Sequence, residues 1–325
     1  MMATTIADIR GLSVTFPSKK GTVRAVDAVD LSIEEGSIFG IAGESGCGKT
    51  TIGLSLLGMI REPGSVEGTI AVNGKDVTSL RGEERRLFRW KEVSMVFQGA
   101  MNSLNPVSSV GEQITEVIID HTGGTRKEAM NRAADLLRKV RLPSDILRRY
   151  PHQLSGGQKQ RVVIAMAIAL SPKLIIADEP TTALDVVSQE HILRLLKEVV
   201  KASGSTVVII SHDLSLIADM CDRLAVMYLG RIVESGRAQD VLSSPAHPYT
   251  RALIDSNITL DKRGKKVESI PGYPPSPINL PSNCRFSGRC PFATNECFDS
   301  EPPASTLEDG RVVYCYHPRH GNEGK

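Results

Sequence analysis

The spacing of apolar residues changes repeatedly along the first 255 residues, and each change marks an element. Leu174–Ala177 and Thr206–Ile210 are continuous apolar runs, the pattern of strands buried on both faces of a parallel sheet. Ser37–Ala42 is a third short apolar strand, and it runs straight into a glycine-rich loop. Ile9–Phe16, Val29–Ile33 and Glu67–Val72 are β-rich, and Asn73-Gly74 supplies a hairpin-type turn signal. Helical patterns cover Thr51–Met59, Val186–Ala202 and Leu214–Met220. Strands alternating with helices predict an α/β core.

Between Gly99 and Ala169 the strand signal disappears, and helical spacing runs over Glu112–His121, Lys127–Val140 and Gln158–Leu170. This stretch is expected to be a mostly helical insertion within the core. Composition shifts again near Asp255. In Ile270–Pro281 (IPGYPPSPINLP) proline recurs every few residues, which predicts an extended linker. The tail beyond it is short and cysteine-rich, with no sign of a large independent core. Residues 1–255 are therefore expected to form the main domain and residues 256–325 an extension.

Composition narrows the function classes. Of 325 residues 41% are hydrophobic and 23% charged, an ordinary globular balance, and the net charge of +2 argues against a nucleic-acid partner. The basic cluster Arg81–Lys91 is interleaved with Glu83, Glu84 and Leu87 and reads as one solvated helix face, and Lys262–Lys266 is short. No stretch near the start carries a secretory signal pattern. The longest apolar run, Val162–Leu170, is about half the roughly 20 residues of a membrane span, so the chain is expected to be soluble and to need separate membrane subunits for any transport role. Six cysteines without a signal argue against a disulfide framework.

Gly43-Glu44-Ser45-Gly46-Cys47-Gly48-Lys49-Thr50, followed by Thr51, fits G-x-x-x-x-G-K-[ST] between a strand and a helix. Glycines let successive backbone N–H groups converge on phosphate oxygens, and the helix N-terminus adds a favourable dipole. Lys49 is expected to place a mobile charge on the β- and γ-phosphates, and the Thr50 hydroxyl to ligate Mg²⁺. The strand Leu174–Ala177 ends in Asp178 and Glu179. At a strand end the backbone turns, so the two acids can take separate roles. Asp178 is placed to hold the Mg²⁺ shell and Glu179 to act as general base on the attacking water. His212 directly follows Ser211 and the strand Thr206–Ile210, and is expected to bond the γ-phosphate or that water.

Leu154-Ser155-Gly156-Gly157-Gln158, taken in order with these motifs, resembles the nucleotide-binding domains of ABC transporters over residues 1 to about 255. The resemblance implies a P-loop NTPase (RecA-like) core with an antiparallel β subdomain and a helical ABC-specific subdomain. It implies that Ser155, Gly156, Gly157 and Gln158 serve the ATP held by an opposite subunit, two such domains sandwiching two nucleotides. Gln98, after the strand Val93–Phe97, matches the Q-loop glutamine that contacts Mg²⁺ or the attacking water and couples to the membrane subunit. Thr182-Ala183-Leu184-Asp185 resembles the D-loop, with Asp185 at the nucleotide interface, and Phe16 matches the aromatic that stacks on adenine.

Met101-Asn102-Ser103-Leu104-Asn105-Pro106 and Ser244–Leu253 (SPAHPYTRAL) resemble the dipeptide and oligopeptide importer branch, although Gly99-Ala100 replaces the acidic-plus-Pro pair common there. The expected function is an ATPase energising peptide import through two permease subunits. A separate extracytoplasmic binding protein delivers the substrate, and the chain sits at the cytoplasmic face of the membrane. Nickel importers share much of this pattern, and non-transport ABC ATPases are a further alternative.

Cys284, Cys290, Cys297 and Cys315 are separated by five, six and 17 residues. Four soft thiolates so close suggest a metal site, and the spacing itself leaves iron–sulfur and zinc both open. The resemblance of Arg289-Cys290-Pro291 and its surroundings to the ends of peptide-importer ATPases implies a 4Fe-4S cluster, with zinc as the alternative. His317 reads as a solvent-exposed residue, and Cys47 and Cys221 as small packing residues.

Overall fold

The computed structural model describes residues 4–182, 184–258, 270, 272–280 and 282–319. Ala183 of the D-loop, the basic cluster at 262–266, Pro271 and Pro281 lie outside the described residues.

The strands are β1 (Thr5–Ser18), β2 (Gly21–Glu34), β3 (Ile38–Ala42), β4 (Ser65–Val72), β5 (Lys75–Asp76) and β6 (Val93–Val96). They continue with β7 (Leu174–Asp178), β8 (Thr206–Ser211), β9 (Arg223–Tyr228), β10 (Arg231–Arg237), β11 (Ala304–Thr306) and β12 (Val312–Tyr314). The helices are α1 (Lys49–Leu56), α2 (Gly82–Lys91), α3 (Val110–Thr122), α4 (Arg126–Lys139) and α5 (Gly156–Ala167). They are followed by α6 (Val186–Ser203), α7 (Leu214–Met220), α8 (Ala238–Ser243), α9 (Pro248–Ile258) and α10 (Asn295–Asp299).

The chain divides into two compact units. One centres on Ala71–Ile209; the other comprises Asp8–Ile33, Ser37–Ile70 and the chain from Ile210 onward. In the first, β6 pairs in parallel with β7, Val93 opposite Leu174 through Val96 opposite Ala177, and every residue of both strands is buried. Burial on both faces is why these runs carry no polar alternation. Asn73 and Gly74 (φ 48° and 73°) form the two-residue turn between Val72 and Lys75, both with the positive φ that a tight hairpin demands. Helices replace strands between β6 and β7, and their ends are locally encoded. Ser109 with Glu112 caps α3, and Thr125 with Glu128 caps α4, each pair exchanging side-chain and backbone hydrogen bonds.

In the second unit β3 is wholly buried and pairs in parallel with β9, while β9 and β10 form an antiparallel hairpin. Two segments not assigned as strands from sequence appear here. β9 and β10 meet at Leu229-Gly230, both at positive φ, and β10 is interrupted by a bulge between Ile232 and Glu234. The cysteine-rich tail then completes this sheet rather than standing apart: β12 pairs with β10, and β11 with β12. Before it, the proline-rich segment lies along β2, where Arg24 N–H donates to Pro277 O at 3.2 Å. Among the described residues no helix is long and apolar enough to cross a membrane.

Candidate active site

The phosphate loop folds back on itself around Lys49. Strand β3 delivers the chain into Gly43, whose φ is 153°. A Cβ there would lie 2.1 Å from Met227 O, and one on Gly48 (φ 107°) 2.1 Å from Ala25 O. These two positions admit only glycine, for space as well as for φ. Lys49 is buried, and its ammonium donates to Gly43 O at 2.8 Å and Glu44 O at 3.0 Å. Cys47 packs inside the loop, and burial pushes its thiol up. Ser45, Gly46 and Thr50 are exposed at the crest, and Thr51 is half-buried behind them. Gly48 is the N-cap of α1 and offers the helix no side-chain acceptor.

Two other sequence-predicted residues belong to the same unit. Phe16 lies near the end of β1, half-buried, with its ring edge against Gly64, where a Cβ would approach to 2.6 Å. His212 is exposed immediately after β8, and the next residue, Asp213, caps α7 through Oδ1.

The remaining candidates lie in the unit centred on Ala71–Ile209. Asp178 is the last residue of β7 and is 1% exposed. Glu179 follows at φ 48°, a left-handed conformation that a non-glycine residue adopts at a cost of order 1–3 kcal/mol and that recurs at functional turns. Gln98 is exposed in the turn beyond β6, which ends at Val96, one residue short of Phe97.

Ser155 caps α5: its Oγ accepts from Gln158 N–H at 3.3 Å, and Gln158 Oε1 accepts from Ser155 N–H at 3.0 Å. Ser155 and Gly156 are exposed, and Gly157 is half-buried beside Ser188. Gln160, one turn on, donates to Pro180 O at 2.7 Å and so ties this helix to the residue after Glu179. Asp185 caps α6 by accepting from Ser188 N–H at 3.0 Å and Ser188 Oγ at 2.7 Å. The oxygen donors singled out for magnesium, the Thr50 hydroxyl, the Asp178 carboxylate and the Gln98 amide, are hard ligands that suit that ion.

Sequence reasoning missed the residues that brace the phosphate loop from the C-terminal side. Glu44 N–H donates to Tyr249 Oη at 2.9 Å, and the Tyr249 ring packs on Tyr228 (centroids 4.6 Å apart) and Phe286 (5.4 Å). Tyr249 stood in a quoted motif, but nothing in its spacing from the loop announces the contact.

The expectation of a 4Fe-4S cluster, or of zinc, on Cys284, Cys290, Cys297 and Cys315 is corrected. The four residues do converge on one small cavity, which Phe286 and Phe292 also line. Yet among the described residues no group of three or more His, Cys, Asp or Glu side chains is arranged to hold a metal ion. Burial pushes the Cys284 and Cys290 thiols up, and Cys315 up to about 11. None of the four forms a disulfide; Cys297 is buried and the other three are half-buried.

Comparison with known proteins agrees with the phosphate loop and the tail together. Residues 26–182 match the ABC transporter family, and residues 233–297 match the oligopeptide/dipeptide transporter C-terminal region. The chain is 42% identical to the oligopeptide transport ATP-binding protein AppD of Bacillus subtilis, over 96% of both chains. It is 43% identical to the dipeptide transport ATP-binding protein DppD of Escherichia coli, over 96% of this chain and 97% of that one. With OppD of Salmonella typhimurium the identity is 40%, over 97% and 95%. Among solved structures, the dimeric ATP-binding cassette MJ0796, in a post-hydrolysis state bound to ADP and Pi, superimposes with a TM-score of 0.64 at 29% identity, covering 71% of this chain and 98% of that one. The chain belongs to the ATP-binding proteins of the ABC transporter family, in the branch of the oligopeptide and dipeptide transport subunits.

Proposed function

We propose that this chain hydrolyses ATP to drive the import of dipeptides or oligopeptides through two partner permeases, acting peripherally at the cytoplasmic face of the membrane. A separate binding protein would deliver the peptide. The observation that carries the reading is the buried Lys49 ammonium, folded over a loop in which Gly43 and Gly48 leave no room for a Cβ, at the N-terminus of a helix whose cap is a glycine. Such a loop is a receptor for a polyphosphate.

In the mechanism, the N–H groups of Ser45–Thr51 and the Lys49 ammonium bind the β- and γ-phosphates, Lys49 exchanging its carbonyl partners for phosphate oxygens. Phe16 stacks on the adenine. Thr50, Asp178 and Gln98 hold magnesium, which when bound neutralises charge on the phosphates. Glu179 accepts a proton from the attacking water, and His212 orients the γ-phosphate. Ser155–Gln158 and Asp185 of a second subunit, identical or homologous, close the site, with the N-terminus of α5 facing the γ-phosphate.

The test is peptide uptake in vesicles that contain this chain, two peptide permease subunits and a peptide-binding protein. ATP-dependent accumulation of a labelled dipeptide or oligopeptide is expected. Accumulation of nickel without peptide, or co-purification with ribosomes in place of permeases, overturns the assignment.

A further inference from the structure

Glu44, the second residue of the phosphate loop, is held at three points. Its N–H donates to Tyr249 Oη, its carbonyl accepts from Lys49 Nζ at 3.0 Å, and its carboxylate is gripped by the cysteine-rich extension. That grip is a two-pronged ion pair: Arg289 Nη1 donates to Oε2 at 3.0 Å and Nη2 to Oε1 at 3.1 Å. The guanidinium also donates to Tyr228 Oη at 3.2 Å, and its centre lies 5.8 Å from the Tyr228 ring and 6.0 Å from that of Phe286. The Arg289 side chain is 6% exposed and that of Glu44 24%. Both terminal nitrogens are used against one carboxylate in a partly dry setting, the geometry in which arginine gives both charge and orientation.

The pair has an electrostatic consequence for the loop. A carboxylate sits two residues after the end of β3, in a loop built to receive several negative charges. Left uncompensated it would oppose a phosphate.

We propose that Arg289 is a positioning residue for nucleotide binding: from the C-terminal extension it neutralises the Glu44 carboxylate, and so sets the affinity of the phosphate loop for MgATP. The assignment rests on the reading of Gly43–Thr51 as the ATP site. It gives the extension a part in the ATPase cycle that requires no bound group.

The experiment is a titration of the purified full chain with a fluorescent mant-ATP in the presence of Mg²⁺. Arg289→Gln keeps the length and removes the charge, and is expected to weaken binding roughly tenfold. Arg289→Lys retains charge without the fork and is expected to fall between the two. Adding Glu44→Gln to Arg289→Gln removes the unneutralised carboxylate and is expected to restore affinity to within about twofold of wild type. Arg311→Met loosens the extension elsewhere and is expected to leave affinity unchanged.

Wild-type affinity in Arg289→Gln overturns the proposal. So does a loss that Glu44→Gln fails to restore, or an equal loss in Arg311→Met, because either would be a general effect on the fold. If Arg289→Gln does not fold, Arg289→Lys carries the test: a weakening of about threefold is expected, and wild-type affinity overturns the proposal. A wild-type chain that does not bind the probe defeats the ATP-site reading itself, an outcome separate from all of these.

Discussion

Arg311, just ahead of β12, donates from Nη1 to Glu234 on β10 at 3.2 Å, and the two side chains are 5% and 0% exposed. Glu234 also accepts from the N–H groups of Ala246 and His247, each at 2.9 Å, so a single carboxylate joins the sheet, the loop before α9 and the tail. Burial pushes this acid up, and the N–H donors and Arg311 oppose the shift. Removing one partner of such a pair leaves a buried charge. Arg311→Met is therefore expected to cost about 3–5 kcal/mol in chemical denaturation, and adding Glu234→Gln to recover most of it. A loss under about 1 kcal/mol would mean the pair behaves as a surface contact.

His247 makes stability depend on pH. Its Nδ1 accepts from Tyr249 N–H at 3.0 Å, and burial lowers the imidazole from 6.5 to about 3. The unfolded chain takes up a proton near 6.5 while the folded chain resists until about 3. Stability from this group is intact above the higher value and falls as the pH drops through the window, by up to about 1.4 kcal/mol per unit. His247→Asn offers a neutral acceptor and should flatten the slope in urea titrations between those limits. An unchanged slope would refute the buried neutral histidine.

The two loop glycines separate crowding from conformation. Gly46→Ala has φ 78° and open space around the new Cβ, so it should cost about 1–2 kcal/mol from backbone strain alone. Gly48→Ala drives its Cβ to 2.1 Å from Ala25 O, adding roughly 1–3 kcal/mol and abolishing mant-ATP binding. Equal affinities for the two variants would contradict this ranking.

Ser155 uses a lone pair to cap α5, and its O–H remains a donor. Ser155→Ala should lose about 1 kcal/mol of helix stability together with ATP-driven dimerisation. Ser155→Asp should keep the cap and the thermal stability but still fail to dimerise, because a carboxylate would face the γ-phosphate. Dimerisation of the aspartate variant, read by light scattering with MgATP, would remove Ser155 from the interface.

Glu179→Gln should bind MgATP with near-wild-type affinity, accumulate as a closed dimer, and release phosphate at least about 100-fold more slowly. Undiminished turnover would assign the general base elsewhere.

Much of this was legible in the chain because local signals and tertiary demands coincide. Leu174–Ala177 and Thr206–Ile210 are strands within one residue of their apolar runs, and Leu214–Met220 is a helix over the same span. Asn73-Gly74 makes the turn its residue types dictate. The β9–β10 hairpin was not read, because the buried Glu234 interrupts the apolar pattern of β10 and its partner Arg311 lies far along the chain. The three-residue strands β11 and β12 are too short for any period to register. The cysteines misled because spacing shows which thiols can share a cavity, not whether their side chains are arranged around one ion, and among the described residues they are not.

The tail's two short strands also finish the rim of a sheet. Val312 and Val313 stand opposite Ser235 and Glu234, occupying hydrogen-bonding groups of β10 that would otherwise face outward. Cut the chain before residue 282 and β10 becomes a bare margin seven residues long, open to the same margin on a neighbouring molecule. A shortened protein made to isolate the ATPase body would bare that margin and lose Arg289 in the same cut.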